Sequence, residues 1–256
     1  MMRNLKLTVA YDGTAFWGFQ VQPGELPTIQ GTLETGISDL TGEVVRIVGS
    51  GRTDAGVHAA GQVVSFMTNS TIPVENWPRA LNTRLPIDIR VIAAEEVPPD
   101  FHARFSAVAK TYRYLFSISK EPNPVALRYT WWVGRPLNLQ AMQEAATVLV
   151  GKHDFKSFQT AGSSAQTSVR KVTESRLIST LSGDSLVPGL TGLIAYEITA
   201  DGFLYNMVRN IVGVLQRIGC GKLKPTDLAE IMAARDRRRA GQLAPAQGLW
   251  LQQVWY

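Results

Sequence analysis

The spacing of apolar residues changes several times along this 256-residue chain, and these changes limit the folds open to it. Leu5, Leu7 and Val9 alternate with polar residues, which predicts a strand that ends at Tyr11. Apolar residues then recur every three to four positions, which predicts a helix that ends at Gly42. The other predicted elements of the first half are strands at 44–48, 62–67 and 87–91 and a short helix at 73–85. The order βαββαβ is that of the split βαβ unit of ferredoxin-like folds.

The second half repeats this scheme loosely. Its predicted elements are strands at 111–117, 169–179, 193–199 and 249–255, helices at 139–149 and 204–218, and a short helix after Pro225. Asn138 is a suitable cap for the first of these helices. A loop with Gly and Pro at 182–190 and a segment at 160–170 have no regular pattern. We therefore expect an α+β protein with two ferredoxin-like halves, residues 1–109 and 110–256, and mainly antiparallel sheets.

Basic residues are concentrated in the second half. The chain has 26 Lys and Arg against 21 Asp and Glu, and 18 of the basic residues are Arg. Residues 1–109 carry a net charge of −3, whereas residues 110–256 carry +8. Because Arg pairs bidentately with phosphate and stacks on bases, this distribution suits a polyanionic partner. The alternative is an ordinary soluble protein with a moderately basic composition.

Several classes of function lack their sequence signatures here. There is no phosphate-binding loop, no dinucleotide-binding glycine motif and no nucleophile elbow, which argues against an NTPase, a dehydrogenase and an α/β-hydrolase. The only cysteine is Cys220, and the three histidines are scattered, so we expect no metal site. No apolar run approaches the length of a membrane span, and the first residues do not form a signal peptide, so we expect a cytoplasmic protein.

A glycine-rich segment at 49–58 lies between two predicted strands. It holds Arg52, Asp54 and His58 together with three glycines, which allow a backbone to approach a ligand closely. It is longer than a simple hairpin connection needs to be. One interpretation is a functional loop that presents a carboxylate beside a guanidinium. The other is a structural turn in which Asp54 binds its own backbone.

Three further segments carry candidate residues. Tyr112 and Tyr114 share one face of a strand and Arg113 lies on the other, where simple aromatic packing is the alternative to function. Arg209 belongs to a polar stripe on the helix at 204–218, where a solvated helix face is the alternative. The last candidates form a basic cluster, Arg237, Arg238 and Arg239, which could contact phosphate or simply favour a helix C-terminus.

Beyond these physical patterns, the chain resembles the tRNA pseudouridine synthase A family along essentially its full length. The matching motifs occur in the same order as in the family, at residues 11–20, 28–34, 51–59, 101–107, 110–114, 151–158 and 203–210. The resemblance implies the pseudouridine synthase fold, with an active-site cleft between the two halves. It also implies a homodimer that needs neither metal nor cofactor.

The activity implied by this resemblance is isomerisation of uridine to pseudouridine in the anticodon arm of tRNA, at nucleotides 38, 39 and 40. By match to the family motifs, Asp54 is the essential catalytic aspartate, and Tyr112 is the tyrosine that packs on the target base. Arg209 is the basic partner of the aspartate, and Arg52 helps to hold the base out of the stack. Arg237, Arg238 and Arg239 are expected on the tRNA surface from their charge alone.

The chemistry leaves the role of Asp54 open. Isomerisation breaks the bond between N1 and C1′, turns the uracil and joins C5 to C1′, without any redox change. A carboxylate can attack C1′ to form an ester, add to C6 of the ring, or act as the base that forms a glycal. Two other functions remain as alternatives. A non-catalytic RNA-binding protein would not need Asp54, and a nucleoside or glycoside hydrolase normally needs a second carboxylate.

Overall fold

A computed structural model describes residues 2–162, 165–179 and 192–256 of the chain. The predicted loop at 182–190 lies outside these residues, as do Ser163 and Ser164 in the segment 160–170. The described chain divides into two compact units. Unit 1 contains Met1–Val108 with Trp250–Tyr256, and unit 2 contains Ala109–Leu249. In both units the sheet is mainly antiparallel and is combined with helices, as the sequence predicts.

Unit 1 has the predicted order βαββαβ. Its elements are β1 (Arg3–Tyr11), α1 (Ile29–Thr41), β2 (Val48–Gly49), β3 (His58–Thr68), α2 (Trp77–Asn82) and β4 (Ile89–Val97), and the chain closes with β10 (Leu249–Trp255). The order of strands is β4–β1–β3–β10, and both β1–β3 and β1–β4 are antiparallel. The outer edge of β3 is shared, because β2 pairs with Val64 and Ser65 while β10 pairs with His58 and Ala59.

The core of unit 1 follows from the periodicity of its sequence. Leu5 and Leu7 on β1 are fully buried, and so is the α1 stripe that includes Leu33 and Ile37. Burial of each such side chain contributes about 1.5–3 kcal/mol to stability. The Thr28 side chain accepts a hydrogen bond from the Gly31 amide at the start of α1. This cap explains why the helix begins where the sequence predicts.

Two predicted strands of unit 1 begin later in the structure than in the prediction. Val45 and Ile47 are buried, but they do not pair with a neighbouring strand, and β2 begins only at Val48. The Ile47 amide instead donates to the carboxylate of Glu34, 3.1 Å away, so a side chain replaces the ladder. The prediction that β4 begins at residue 87 is also wrong, because Ile87 is 82% exposed and lies in a turn before the strand.

The strands of unit 2 are also mainly antiparallel. Its elements are β5 (Ala109–Ser117), β6 (Trp131–Trp132), α3 (Leu139–Thr147), β7 (Gly151–Asp154), β8 (Val169–Ser179), β9 (Leu193–Ala200), α4 (Met207–Gly219), α5 (Asp227–Ala233) and α6 (Arg237–Ala240). The strand order is β5–β9–β8–β7, and the short β6 pairs with β5 in parallel. As predicted, the Asn138 side chain caps α3 by accepting from the Ala141 amide.

The two faces of the unit 2 sheet differ in chemistry. Tyr114 and Tyr196 are directly paired across β5 and β9, and both are fully buried. On the other face, Arg113 and Arg176 bind the two carboxylate oxygens of Glu197, with closest distances of 2.6 and 2.7 Å. Burial alone would raise the pKa of Glu197, but hydrogen bonds and charge from both arginines outweigh it and lower that pKa.

The long helix of unit 2 begins three residues later than predicted. Asn206 has φ +59°, in the left-handed region, and α4 therefore starts at Met207. The predicted polar stripe of this helix also includes Gly213, but Gly213 packs closely against another segment of the chain. A Cβ at this position would lie 2.0 Å from the Gln242 carbonyl oxygen. None of the helices in the described ranges is both long and apolar enough to cross a membrane.

Candidate active site

Asp54 lies in the loop that joins β2 to β3. Asp54 is half-buried, and its backbone carbonyl oxygen accepts a hydrogen bond from the Val57 amide at 3.1 Å. Ser50 is the first residue of this loop and is fully buried. The Ser50 hydroxyl donates to the Gln62 side-chain oxygen at 2.6 Å. The predicted glycine-rich loop is therefore tied to the strand that follows it.

A buried hydrogen-bond network lies beneath this loop. The Tyr11 hydroxyl is 2.8 Å from the Thr53 hydroxyl, and the Gln62 amide donates to the Gly51 carbonyl at 3.0 Å. Burial raises the pKa of Tyr11 to about 12, although the hydrogen bonds from Thr53 and Gln62 oppose the shift. Tyr11 is therefore a neutral phenol at physiological pH. The network therefore fixes Gly51 and Thr53, which lie just before Asp54 in the loop.

The segment that follows β1 packs directly against the loop. The Phe19 amide donates to the Thr53 carbonyl at 3.0 Å. Gly18 has φ +95°, and a Cβ there would lie 2.8 Å from the same carbonyl oxygen. A Cβ on Gly13 would lie 2.0 Å from the Val57 carbonyl oxygen. These approaches explain why glycines occur at positions 13 and 18. The sequence alone does not show that the two segments are in contact.

His58 occupies the base of the loop and is fully buried. Its Nδ1 lies 3.1 Å from the Gly13 amide nitrogen and 3.1 Å from a carboxylate oxygen of Asp12. Its ring stacks on Trp250, with centroids 4.5 Å apart and an angle of 23° between the planes. These contacts join three segments of unit 1. We therefore interpret His58 as a residue that supports the loop.

Arg52 is exposed on the same loop, two residues before Asp54. Its Nε donates to the Gln20 side-chain oxygen at 3.2 Å. Gln20 in turn donates to the side-chain oxygen of Gln30 at 2.5 Å, and Gln30 is buried at the start of α1. This chain of contacts orients the Arg52 side chain and leaves its terminal nitrogens near the surface.

The tyrosines of β5 differ in their surroundings. Tyr112 is 8% exposed, and its ring meets Phe203 edge to face, with centroids 4.9 Å apart. Tyr114 is fully buried, and its hydroxyl donates to the Pro245 carbonyl at 2.9 Å. Burial raises the pKa of Tyr114 far above its ordinary value, although the charge of Arg209 opposes the shift. The interpretation of Tyr114 as a packing residue is consistent with this position.

Arg209 lies in the first turn of α4 and is half-buried. Its Nε donates to the Ala244 carbonyl at 2.8 Å, and one terminal nitrogen donates to the Asn206 side-chain oxygen at 3.1 Å. The Ala244 amide returns a bond to the Arg209 carbonyl at 3.2 Å. Arg209 is therefore held in one orientation and is not a mobile side chain on a solvated face.

The basic cluster Arg237, Arg238 and Arg239 forms α6. Asp236 caps this helix and also binds the Arg238 guanidinium, with a closest distance of 2.8 Å. These bonds to Arg238 lower the pKa of Asp236. Arg237 donates to the Gly241 carbonyl at 2.9 Å, and burial lowers its pKa. Arg239 is exposed. The positive charge of this cluster is therefore partly compensated by Asp236.

The predicted site residues are divided between the two units. Asp54 and Arg52 lie in unit 1, whereas Tyr112, Arg209 and the basic cluster of α6 lie in unit 2. In the described ranges, no three His, Cys, Asp or Glu side chains are grouped as metal ligands. A cavity of about 350 Å³ in unit 1 is lined by ten residues of the segment 21–36 and by Arg84, and none of the predicted site residues lines it.

Sequence comparison identifies relatives that match the whole chain. Residues 7–106 and 145–256 match the family described as tRNA pseudouridine synthase. The protein named tRNA pseudouridine synthase A from Acetivibrio thermocellus is 46% identical over 255 residues, and its counterpart from Moorella thermoacetica is 47% identical over 256 residues. Each alignment covers 100% of both chains. This protein belongs to the tRNA pseudouridine synthase family and has its mixed α/β fold.

Proposed function

We propose that this protein isomerises uridine to pseudouridine at nucleotides 38, 39 and 40 in the anticodon stem-loop of tRNA, with Asp54 as its catalytic group. Membership of the family makes the chain an isomerase. The observation that carries the proposal for Asp54 is the construction of its loop. The neighbouring Thr53 is bound on one side by Tyr11 and on the other by the Phe19 amide. A loop held in this way can present a carboxylate in a fixed orientation.

The reaction sets demands that fit these residue types. A carboxylate can form an ester with C1′, add to C6, or remove a proton to give a glycal, and each route requires Asp54 to be ionised. We propose that Arg209 supplies the positive charge that favours the ionised carboxylate. We also propose that Arg52 helps to hold the flipped base outside the RNA stack, a step that costs a few kcal/mol.

The experiment that tests the function is release of tritium from C5 of uridine in unmodified tRNA. An isomerase forms the bond between C5 and C1′ and therefore releases the C5 hydrogen to water. A non-catalytic RNA-binding protein releases no tritium, and a hydrolase releases free uracil. Sequencing the modified positions in the same tRNA then tests whether nucleotides 38, 39 and 40 are the targets.

We propose that the Tyr112 ring packs on the target uracil and replaces part of its lost stacking, which is worth about 1–3 kcal/mol. Tyr112→Ala is therefore expected to lower turnover strongly. Tyr112→Phe keeps the ring, so it should keep most of the activity if the residue acts only by stacking. Single-turnover rates at saturating tRNA are the measurement. Collapse of the Phe variant with intact binding would instead assign proton transfer to the hydroxyl.

We propose that unit 2 supplies much of the phosphate contact through the α6 cluster. Replacing Arg237, Arg238 and Arg239 by Ala is expected to weaken binding to every tRNA alike. The slope of log affinity against log salt should become shallower by somewhat less than one per lost phosphate contact. Binding titrations at several salt concentrations measure both quantities, and turnover at saturating tRNA should change little.

A charge-matched control for this cluster is available in unit 1. Arg46, Arg79 and Arg84 are exposed there, and their replacement by Ala removes the same charge. If both triple variants lose affinity equally, the effect is one of net charge and the α6 cluster is not a specific surface. An unchanged affinity and slope in the α6 variant would remove the cluster from the tRNA surface.

We propose that the active form is a homodimer in the cytoplasm. The physical argument is the size of the substrate, because a two-fold assembly presents two basic surfaces to a folded tRNA. Sedimentation at the concentrations at which the enzyme turns over gives the mass of the active species. A fully active monomer would contradict the dimer without affecting the proposed chemistry.

A further inference from the structure

An exposed aromatic ring stands on the loop that precedes unit 2. Phe105 is 76% exposed. The His102 ring stacks on it, with centroids 4.3 Å apart and an angle of 28° between the planes. The Arg104 guanidinium lies 5.5 Å from the centre of the Phe105 ring. We call His102, Arg104 and Phe105 the stacking platform.

The turn that carries the platform is closed by local hydrogen bonds. The amides of Arg104 and Phe105 both donate to Nδ1 of His102, each at 3.2 Å. The Ser106 amide donates to the His102 carbonyl at 2.9 Å, and the Ser106 hydroxyl accepts from the His102 amide at 3.1 Å. One imidazole therefore supports the ring by stacking and the backbone by hydrogen bonding.

The turn is also anchored to the body of unit 1. Ala103 is fully buried, and its amide donates to the Ser65 hydroxyl on β3 at 3.1 Å. Its carbonyl accepts from the Tyr256 hydroxyl at 2.7 Å. The Asn4 side chain donates to the Phe101 carbonyl at 2.9 Å. The platform is therefore fixed by contacts that do not involve the Phe105 ring, and folding does not require that ring to be apolar.

A fixed and exposed ring beside a guanidinium has the chemistry of a nucleobase stacking site. Bases that are not paired stack on aromatic rings and on guanidinium planes, whereas bases within a helix do not offer their faces. A rigid platform also loses little conformational entropy when it binds. Residues 1–109 carry net negative charge, so RNA contact in this part of the chain depends on stacking more than on phosphate attraction.

We infer that the stacking platform binds an unpaired nucleotide of the tRNA substrate, through stacking of its base on Phe105 and Arg104. The inference rests on the proposed function, because it takes the RNA substrate from that proposal. It adds a binding site in unit 1 that is separate in sequence from the Asp54 loop and from the basic cluster of α6.

The test compares variants of Phe105 in the full-length protein. Phe105→Ala is expected to weaken tRNA binding by about 5- to 150-fold, the effect of losing one stacked base. Phe105→Trp should retain wild-type affinity, because indole also stacks. The slope of log affinity against log salt should not change for either variant, since no phosphate contact is lost. Ile87→Ala is the matched control, because Ile87 is also exposed in unit 1 but has no ring.

Two RNA probes identify what is bound. One is a fluorescently labelled anticodon arm with its unpaired loop, and the other is a fully paired RNA duplex of similar length. Phe105→Ala should weaken binding to the arm but not to the duplex. An unchanged affinity for the arm, or an equal loss on both probes, would overturn the inference. So would a change in sedimentation mass, because it would assign the ring to a contact between protein chains.

Tritium release separates this inference from the proposed function. At saturating tRNA, Phe105→Ala should keep the wild-type kcat while its KM rises by the factor seen in binding. If wild type releases no tritium but the variants still differ on the arm, the platform stands and the proposed isomerisation fails. If wild type is active and Phe105→Ala has the same KM and affinity as wild type, the platform fails and the isomerisation stands.

Discussion

Asp54→Ala is expected to abolish tritium release from uridine while tRNA affinity stays within a few-fold of wild type. The reason is that the proposed mechanism has no substitute for this carboxylate, whereas affinity comes mainly from phosphate contacts elsewhere. Asp54→Asn tests the same point with less change in shape, because an amide can neither form the ester nor act as a base. Single-turnover tritium release and equilibrium binding on the same tRNA are the two measurements.

The control for this experiment is a carboxylate outside the loop. Asp39 is exposed on α1, so Asp39→Ala removes the same charge from unit 1 without touching the loop. It should retain wild-type turnover. Substantial turnover in both Asp54 variants would remove Asp54 from the mechanism. Loss of turnover together with loss of affinity and a lower melting temperature would show that the loop had been disrupted, so catalysis and structure can be distinguished.

Gly13→Ala is expected to lower stability by about 3 kcal/mol, at the upper end of overpacking effects. The new Cβ would lie 2.0 Å from the Val57 carbonyl oxygen, and a backbone atom cannot move aside as a flexible side chain can. For a chain of this size the melting temperature should fall by roughly 10 °C. Because Val57 ends the loop that carries Asp54, turnover should also fall at temperatures where the variant is still folded. Thermal melting and tritium release measure the two effects.

Gly202→Ala is the matched control for this substitution. A Cβ at Gly202 would meet only the Arg170 side chain, at 3.4 Å, which is an ordinary contact with a flexible group. The melting temperature of this variant should stay within about a degree or two of wild type. If Gly13→Ala melts at the wild-type temperature, the close approach of the two segments does not exist in solution.

Local sequence patterns predict most of the secondary structure. The alternation in β1, the stripe of α1 with its Thr28 cap and the Asn138 cap of α3 all occur as expected. One error arises where a distant group changes a local preference. Buried Val45 and Ile47 alternate like a strand, yet the Glu34 side chain binds the backbone there.

Local sequence patterns also predicted part of the candidate site. Glycine content, length and the presence of Arg52 and Asp54 indicate a functional loop, because these features are contained within ten consecutive residues. The hydrogen-bond network that joins Tyr11, Thr53 and Gln62 was not predicted from the sequence. Tyr11 and Thr53 are 42 positions apart, and no local pattern indicates that their hydroxyls meet.

The sequence by itself determined the α+β class, the order of elements in unit 1 and the family of the protein, because periodicity and motifs are properties of short segments. Only the tertiary structure decided which segments support the Asp54 loop, that Glu197 is held between Arg113 and Arg176, and that Phe105 stands exposed on a fixed turn. The physical reason is that burial, hydrogen bonding and charge depend on distance in space. Residues far apart in the chain become neighbours only when the sheets form.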